Sequence, residues 1–75
     1  MLLPNKLYSY NESILSRFPM VLKELKKKPM GVHELYQRVI DKLEGINEFI
    51  DILDCLYALH KIKYDDEEGV LRYVV

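Results

Sequence analysis

From Ile14 to Leu25 the large apolar side chains are Ile14, Leu15, Phe18, Val21, Leu22 and Leu25, a spacing that repeats one face of an amphipathic helix. A first helix is predicted over residues 13–27, with Asn11 or Ser13 as cap and Pro29 as stop. Pro19 conflicts with that helix, because it lacks an amide hydrogen and crowds the carbonyl of Leu15. Either the helix kinks there, or Ser16 caps a second start with Pro19 in its first turn. The Lys26–Lys28 run suits the negative end of the helix dipole.

A second stripe, Val32, Leu35, Tyr36, Val39, Ile40 and Leu43, predicts a helix over 32–43. Glu34 and Arg38 make a favourable i, i+4 pair on its other face. Met30-Gly31 before it is too short for a strand but long enough for one or two sheet bridges. Glu44-Gly45-Ile46-Asn47 reads as a turn, with Gly45 as a left-handed C-terminal cap and Asn47 as the next N-cap. A third helix is predicted over 48–60, with Phe49, Ile52, Leu53, Leu56, Tyr57 and Leu59 inward and Glu48, Asp51, Asp54 and Ala58 outward. Two helices joined by a short Gly-containing turn form a helix-turn-helix. Strands at 62–64 and 70–75, joined by Asp65-Asp66-Glu67-Glu68-Gly69, read as a hairpin.

The order predicts a mainly α fold with a small antiparallel sheet: a winged helix built from a helix, a helix-turn-helix and a β-hairpin wing. Residues 1–75 form a single domain, with residues 1–12 as an N-terminal arm that carries Leu2, Leu3, Leu7, Tyr8 and Tyr10. That arm is expected to lie extended across the core or to pair with a second copy as a homodimer. The expected core is Leu15, Phe18, Leu22, Leu25, Leu35, Val39, Leu43, Phe49, Leu53, Leu56, Leu59, Ile62 and Tyr64, with Tyr36 and Tyr57.

Composition narrows the function classes. With 75 residues, 49% of them hydrophobic, the chain is one small globular domain that buries only roughly 60% of its unfolded surface. Its stability is therefore expected to be marginal or shared with a partner. One cysteine, Cys55, leaves no internal disulfide and no multi-cysteine zinc site. No apolar run approaches a membrane span, and Met1-Leu2-Leu3-Pro4 lacks the features of a signal peptide, so a cytoplasmic protein away from membranes is expected. Neither His33 nor His60 has a second ligand at metal spacing, and Cys55 is expected at least half-buried. No catalytic constellation or phosphate loop is visible, so the expectation is a non-enzyme without cofactor or metal.

Charge distribution bears on DNA. Residues 1–44 hold eight Lys/Arg and five Asp/Glu, and residues 45–75 hold three and seven. The third helix, which would enter the major groove, offers Glu48, Asp51 and Asp54 and no cation. The wing tip carries Asp65, Asp66, Glu67 and Glu68. Both DNA-facing elements have the wrong sign, so sequence-specific DNA binding is not expected. The candidate partner-binding residues are Asp51, Asp54, Asp65, Asp66, Glu67 and Glu68, with Tyr8, Tyr10 and Tyr73 as amphipathic contacts.

Leu2-Leu3-Pro4-Asn5-Lys6, Glu12-Ser13-Ile14-Leu15 and Asp54-Cys55-Leu56-Tyr57-Ala58-Leu59, followed by Ile62 and an acidic hairpin, resemble the middle components of bacterial ABC-three-component systems. The resemblance covers nearly all of the chain; Pro19 departs from it. It implies a small winged-helix-like adaptor between an SMC- or AAA-like ATPase and an effector component, acting in defence against foreign DNA. It carries over no catalytic residue. The alternatives are a winged-helix DNA-binding transcriptional regulator that dimerises on its operator, and a toxin- or antitoxin-like partner.

Overall fold

A computed structural model describes residues 4–75, with side chains from Ser9 onward. Three helices are followed by an antiparallel hairpin: α1 (Pro4–Lys27), α2 (Val32–Val39), α3 (Ile46–Ala58), β1 (Ile62–Asp65) and β2 (Val70–Tyr73). A 3-10 turn over Ile40–Lys42 follows α2. Met30, between α1 and α2, bridges antiparallel to Leu71, so β2 runs between Met30 and β1. The result is a helix-rich, winged-helix-like fold.

The first helix corrects the expected boundaries. It runs unbroken from Pro4 through Pro19 to Lys27, so residues 4–12 are helical and not an extended arm. Proline restricts the residue before it but is itself favoured in the first helical turn, where its missing amide hydrogen has no partner to lose. Pro4 is the first residue of the described helix. Pro19 is exposed, so the unpaired Leu15 carbonyl lies on the solvent side. Leu2 and Leu3 of the expected arm lie outside the described residues, as do the side chains of Leu7 and Tyr8.

Ile14, Val21 and Leu25 are buried at i, i+7 and i+11, with Phe18 packed between them. Leu15 sits about 100° round the helix from Ile14 and is 59% exposed, which removes it from the core. Leu35 and Val39 of α2, Phe49, Ile52 and Leu56 of α3, and Met30, Ile62 and Leu71 of the sheet complete the core. The Tyr36 and Phe49 rings meet at 4.9 Å and fix α2 against α3. Leu59 is a second correction: it is the C-cap of α3 and lies exposed in the turn. Tyr64 is a third. It stands opposite Leu71 but on the outer strand, so Leu71 is covered and Tyr64 is not. Tyr57 points away from the core and is exposed.

Two turns also differ in detail. Gly45, not Asn47, is the N-cap of α3, in an extended conformation and with no left-handed cap on the helix before it. The expected last turn of α2 tightens into the 3-10 turn, where the Leu43 amide donates to the Ile40 carbonyl.

Candidate partner-binding surface

The face that a helix-turn-helix would turn to DNA is the outward side of α3. At 100° per residue, Ile46, Ile50 and Tyr57 fall within about 40° of one another, with half-buried Leu53 beside them. Ile46 is 48% exposed, Ile50 47% and Tyr57 61%. Asp54 is exposed on the flank of this stripe. The helix contains no Lys or Arg.

The other acids of α3 are engaged with α1. Glu48, expected outward, is buried; its carboxylate lies 3.6 Å from Arg17 Nε and accepts a long hydrogen bond, 3.5 Å, from Ser13 Oγ. The reason is how α1 lies on α3, with Ser13 and Arg17, one helical turn apart, over the Glu48 side. Asp51 accepts a hydrogen bond from the Tyr10 hydroxyl. That bond, then burial and the charges of Asp51 and Glu48, push the Tyr10 phenol up to about 12. Tyr10 and Asp51 thus belong first to the α1–α3 seam.

At the wing, the Asp65 carboxylate holds the turn. It accepts from the amides of Glu67 and Glu68 and pairs with Arg72 Nε at 2.9 Å. The Arg72 bond, aided by those amides, lowers the Asp65 carboxyl below its ordinary value. Asp66, Glu67 and Glu68 remain exposed at the tip. Gly69 closes the turn at φ +68°, a conformation that favours glycine.

The basic residues of the first half lie elsewhere. Lys27, Glu24, Arg38, Glu34 and Lys28 form a continuous chain of ion pairs that joins the end of α1 to α2, including the expected Glu34–Arg38 pair at 3.4 Å. Glu24 is lowered chiefly by Lys27 and Glu34 chiefly by Lys28. Lys26 lies over the Tyr73 ring at 5.0 Å, so half-buried Tyr73 is also occupied within the molecule. Lys26, Lys27 and Lys28, with Arg72, line a cleft of about 440 Å³ at the junction of α1 and β2.

Of the nine candidate residues, the structure leaves Asp54, Asp66, Glu67 and Glu68 outward, and gives Asp51, Asp65, Tyr10 and Tyr73 contacts within the chain. The Tyr8 side chain lies outside the described residues. The sequence reading missed the apolar part of the surface. Ile46 fell in a predicted turn, Ile50 went unassigned and Tyr57 was placed in the core, although the 46/50/53/57 spacing is written in the chain. Cys55, expected at least half-buried, is exposed. Among the described residues no helix is long and apolar enough to cross a membrane.

Three helices and a hairpin in a winged-helix-like order thus carry a third helix whose exposed side is apolar and acidic and holds no cation. A family model described as ABC-three component (ABC-3C) system Middle Component 7 matches residues 3–71. The chain belongs to that family and is therefore a middle component of a multi-protein system. No curated protein matches it, and no solved structure matches it.

Proposed function

We propose that this chain is a non-enzymatic, cytoplasmic winged-helix adaptor of an ATPase-containing bacterial defence system. It acts through protein–protein contacts and links an SMC- or AAA-like ATPase to an effector component. The observation that carries the reading is the surface of α3: Ile46, Ile50 and Tyr57 are exposed, Asp54 flanks them, and no cation is present. A helix that reads base edges commonly presents Arg or Lys to guanine and to phosphate, and α3 carries neither. Apolar and aromatic side chains beside a few charges suit a protein interface. The family's place as a middle component supports a role between other subunits.

The test is co-expression of the chain with the other two components of its three-component system, with capture on the small chain and a parallel titration of DNA. Stable capture of at least one companion, with no site-selective DNA binding tighter than about micromolar, is expected. Salt-sensitive, site-selective DNA binding without companion capture favours the regulator instead.

A further inference from the structure

We propose that the outward stripe of α3 (Ile46, Ile50, Leu53 and Tyr57) docks a basic amphipathic helix from another subunit. The inference rests on the adaptor reading and names the surface and the partner chemistry within it.

The spacing selects a helix as occupant. Positions i, i+4, i+7 and i+11 form a straight seam about 16 Å long on a helix rising 1.5 Å per residue. The same anchors recur where one helix lies along another or in a groove. Folding does not explain the stripe. The neighbouring face of α3, about 100° round the helix, already supplies the core through Phe49, Ile52 and Leu56, each fully buried. Leu53 packs against that core and forms the floor of the seam, while Ile46, Ile50 and Tyr57 stand clear of it.

Charge selects the occupant's chemistry. The charged side chains of α3 are Glu48, Asp51 and Asp54, all acidic. Glu48 is turned inward to Arg17 and Asp51 is bound by Tyr10, so Asp54 is the acid left on the flank of the seam. A second copy of α3 would bring only carboxylates to this surface, and like charges across an interface are costly. The chain's own basic stretch, Lys23–Lys28, cannot serve from a second copy, because the apolar side of that helix, Val21 and Leu25, is buried in its own core. The matching occupant is a helix with apolar side chains at three- and four-residue spacing and Lys or Arg beside them, on a different chain.

The test uses the full chain co-expressed with its companion subunits. Ile50→Glu and Tyr57→Glu are made singly, Asp54→Lys separately, and each is checked for an unchanged far-ultraviolet circular dichroism spectrum and melting temperature. In a fourth protein Ile50 is replaced by a benzophenone photo-cross-linker, and the cross-linked peptide is identified by mass spectrometry. The two Glu substitutions are expected to weaken capture about tenfold or more, as loss of a central apolar anchor does. Asp54→Lys is expected to weaken capture and flatten its salt dependence. The cross-link is expected to fall on a Lys/Arg-flanked helical segment of a companion. A cross-link to a second copy, or to an acidic or non-helical segment, overturns the inference. So does companion capture that survives both Glu substitutions, and in that case the adaptor reading still stands. Failure to capture either companion removes the adaptor reading and overturns this inference with it.

Discussion

His60 is the residue at which local geometry and residue type disagree. It follows the C-cap of α3 with φ +59°, in the left-handed region. Its amide donates to the Tyr57 carbonyl and the Lys61 amide donates to the Leu56 carbonyl, the pair of bonds that closes a Schellman motif. Glycine is the usual occupant, since a Cβ costs on the order of 1 kcal/mol in that conformation. His60→Gly is therefore expected to stabilise the fold by about 0.5–1 kcal/mol, which thermal denaturation would read as a rise of several degrees. An unchanged or lower melting temperature would show that the imidazole repays its strain through another contact. Tyr10 offers a second test, by titration. A phenol whose value in the folded chain is raised to about 12 contributes stability that is fully present below the ordinary value of 10.0. That contribution fades as the pH rises towards 12. Ultraviolet titration at tyrosinate absorbance should show one late-ionising phenol, and Asp51→Asn should bring it forward; a titration curve unmoved by Asp51→Asn would break the assignment. Neither residue drew attention in the sequence for this reason. His60 reads there only as a polar residue at a helix end, because the sign of a single φ is fixed by how the chain turns into β1.

At the scale of elements, the seam between α1 and α3 decides how the molecule is built. Glu48 is buried, while Arg17 keeps about a third of its side chain in solvent, and neither Arg17 Nε nor Glu48 Oε1 finds a hydrogen bond among the described residues. The pair is an ion contact and not a well-formed bond, so its net worth against an apolar replacement is small. Arg17→Met alone strands a buried carboxylate and should destabilise by about 1–3 kcal/mol. Adding Glu48→Leu should restore most of that loss, and urea denaturation of the two single variants and the double would measure the coupling. A double variant less stable than Arg17→Met would mean that the carboxylate's bond from Ser13 outweighs the cost of its burial. The three-helix order, the hairpin and the Met30 bridge were legible in the chain because the apolar period changes from helical to alternating with Gly or Pro at the joints. The start of α1 was not, since the apolar stripe that marks the helix begins only at Ile14, ten residues after Pro4. Of the acids on α3, only Asp51 owes its partner to that boundary, through Tyr10; Glu48 meets Ser13 and Arg17, both inside the helix predicted over 13–27.

For the whole molecule the question is where unneutralised charge remains. Among the cations of residues 1–44, Lys27, Arg38 and Lys28 share Glu24 and Glu34, Arg17 pairs with Glu48, and Lys26 lies over the Tyr73 ring. The acids of residues 45–75 divide. Glu48, Asp51 and Asp65 hold the fold, and Asp54, Asp66, Glu67 and Glu68 stay outward. The sequence located the acidic surface but could not make this division, because pairing across elements depends on how α1 lies on α3 and how Arg72 reaches back across the hairpin. Asp51 is consequently a poor probe of partner binding, since reversing its charge would also break its bond to Tyr10. The cleaner variant combines Asp54→Lys with Glu67→Lys and Glu68→Lys, at three exposed side chains, where substitutions usually shift stability by under ~0.5 kcal/mol each. Its melting temperature should stay within a few degrees of wild type. Capture of the companion subunits at low salt should fall, and wild-type and variant should converge as salt screens the field around the exposed acids. Surface-plasmon measurements across a salt series would separate the association and dissociation rates. A loss confined to association means that the acids steer the partner in, whereas a loss in dissociation places them within the contact. Identical rates for the two proteins at every salt concentration would leave these three acids the role of keeping a small, half-apolar domain in solution.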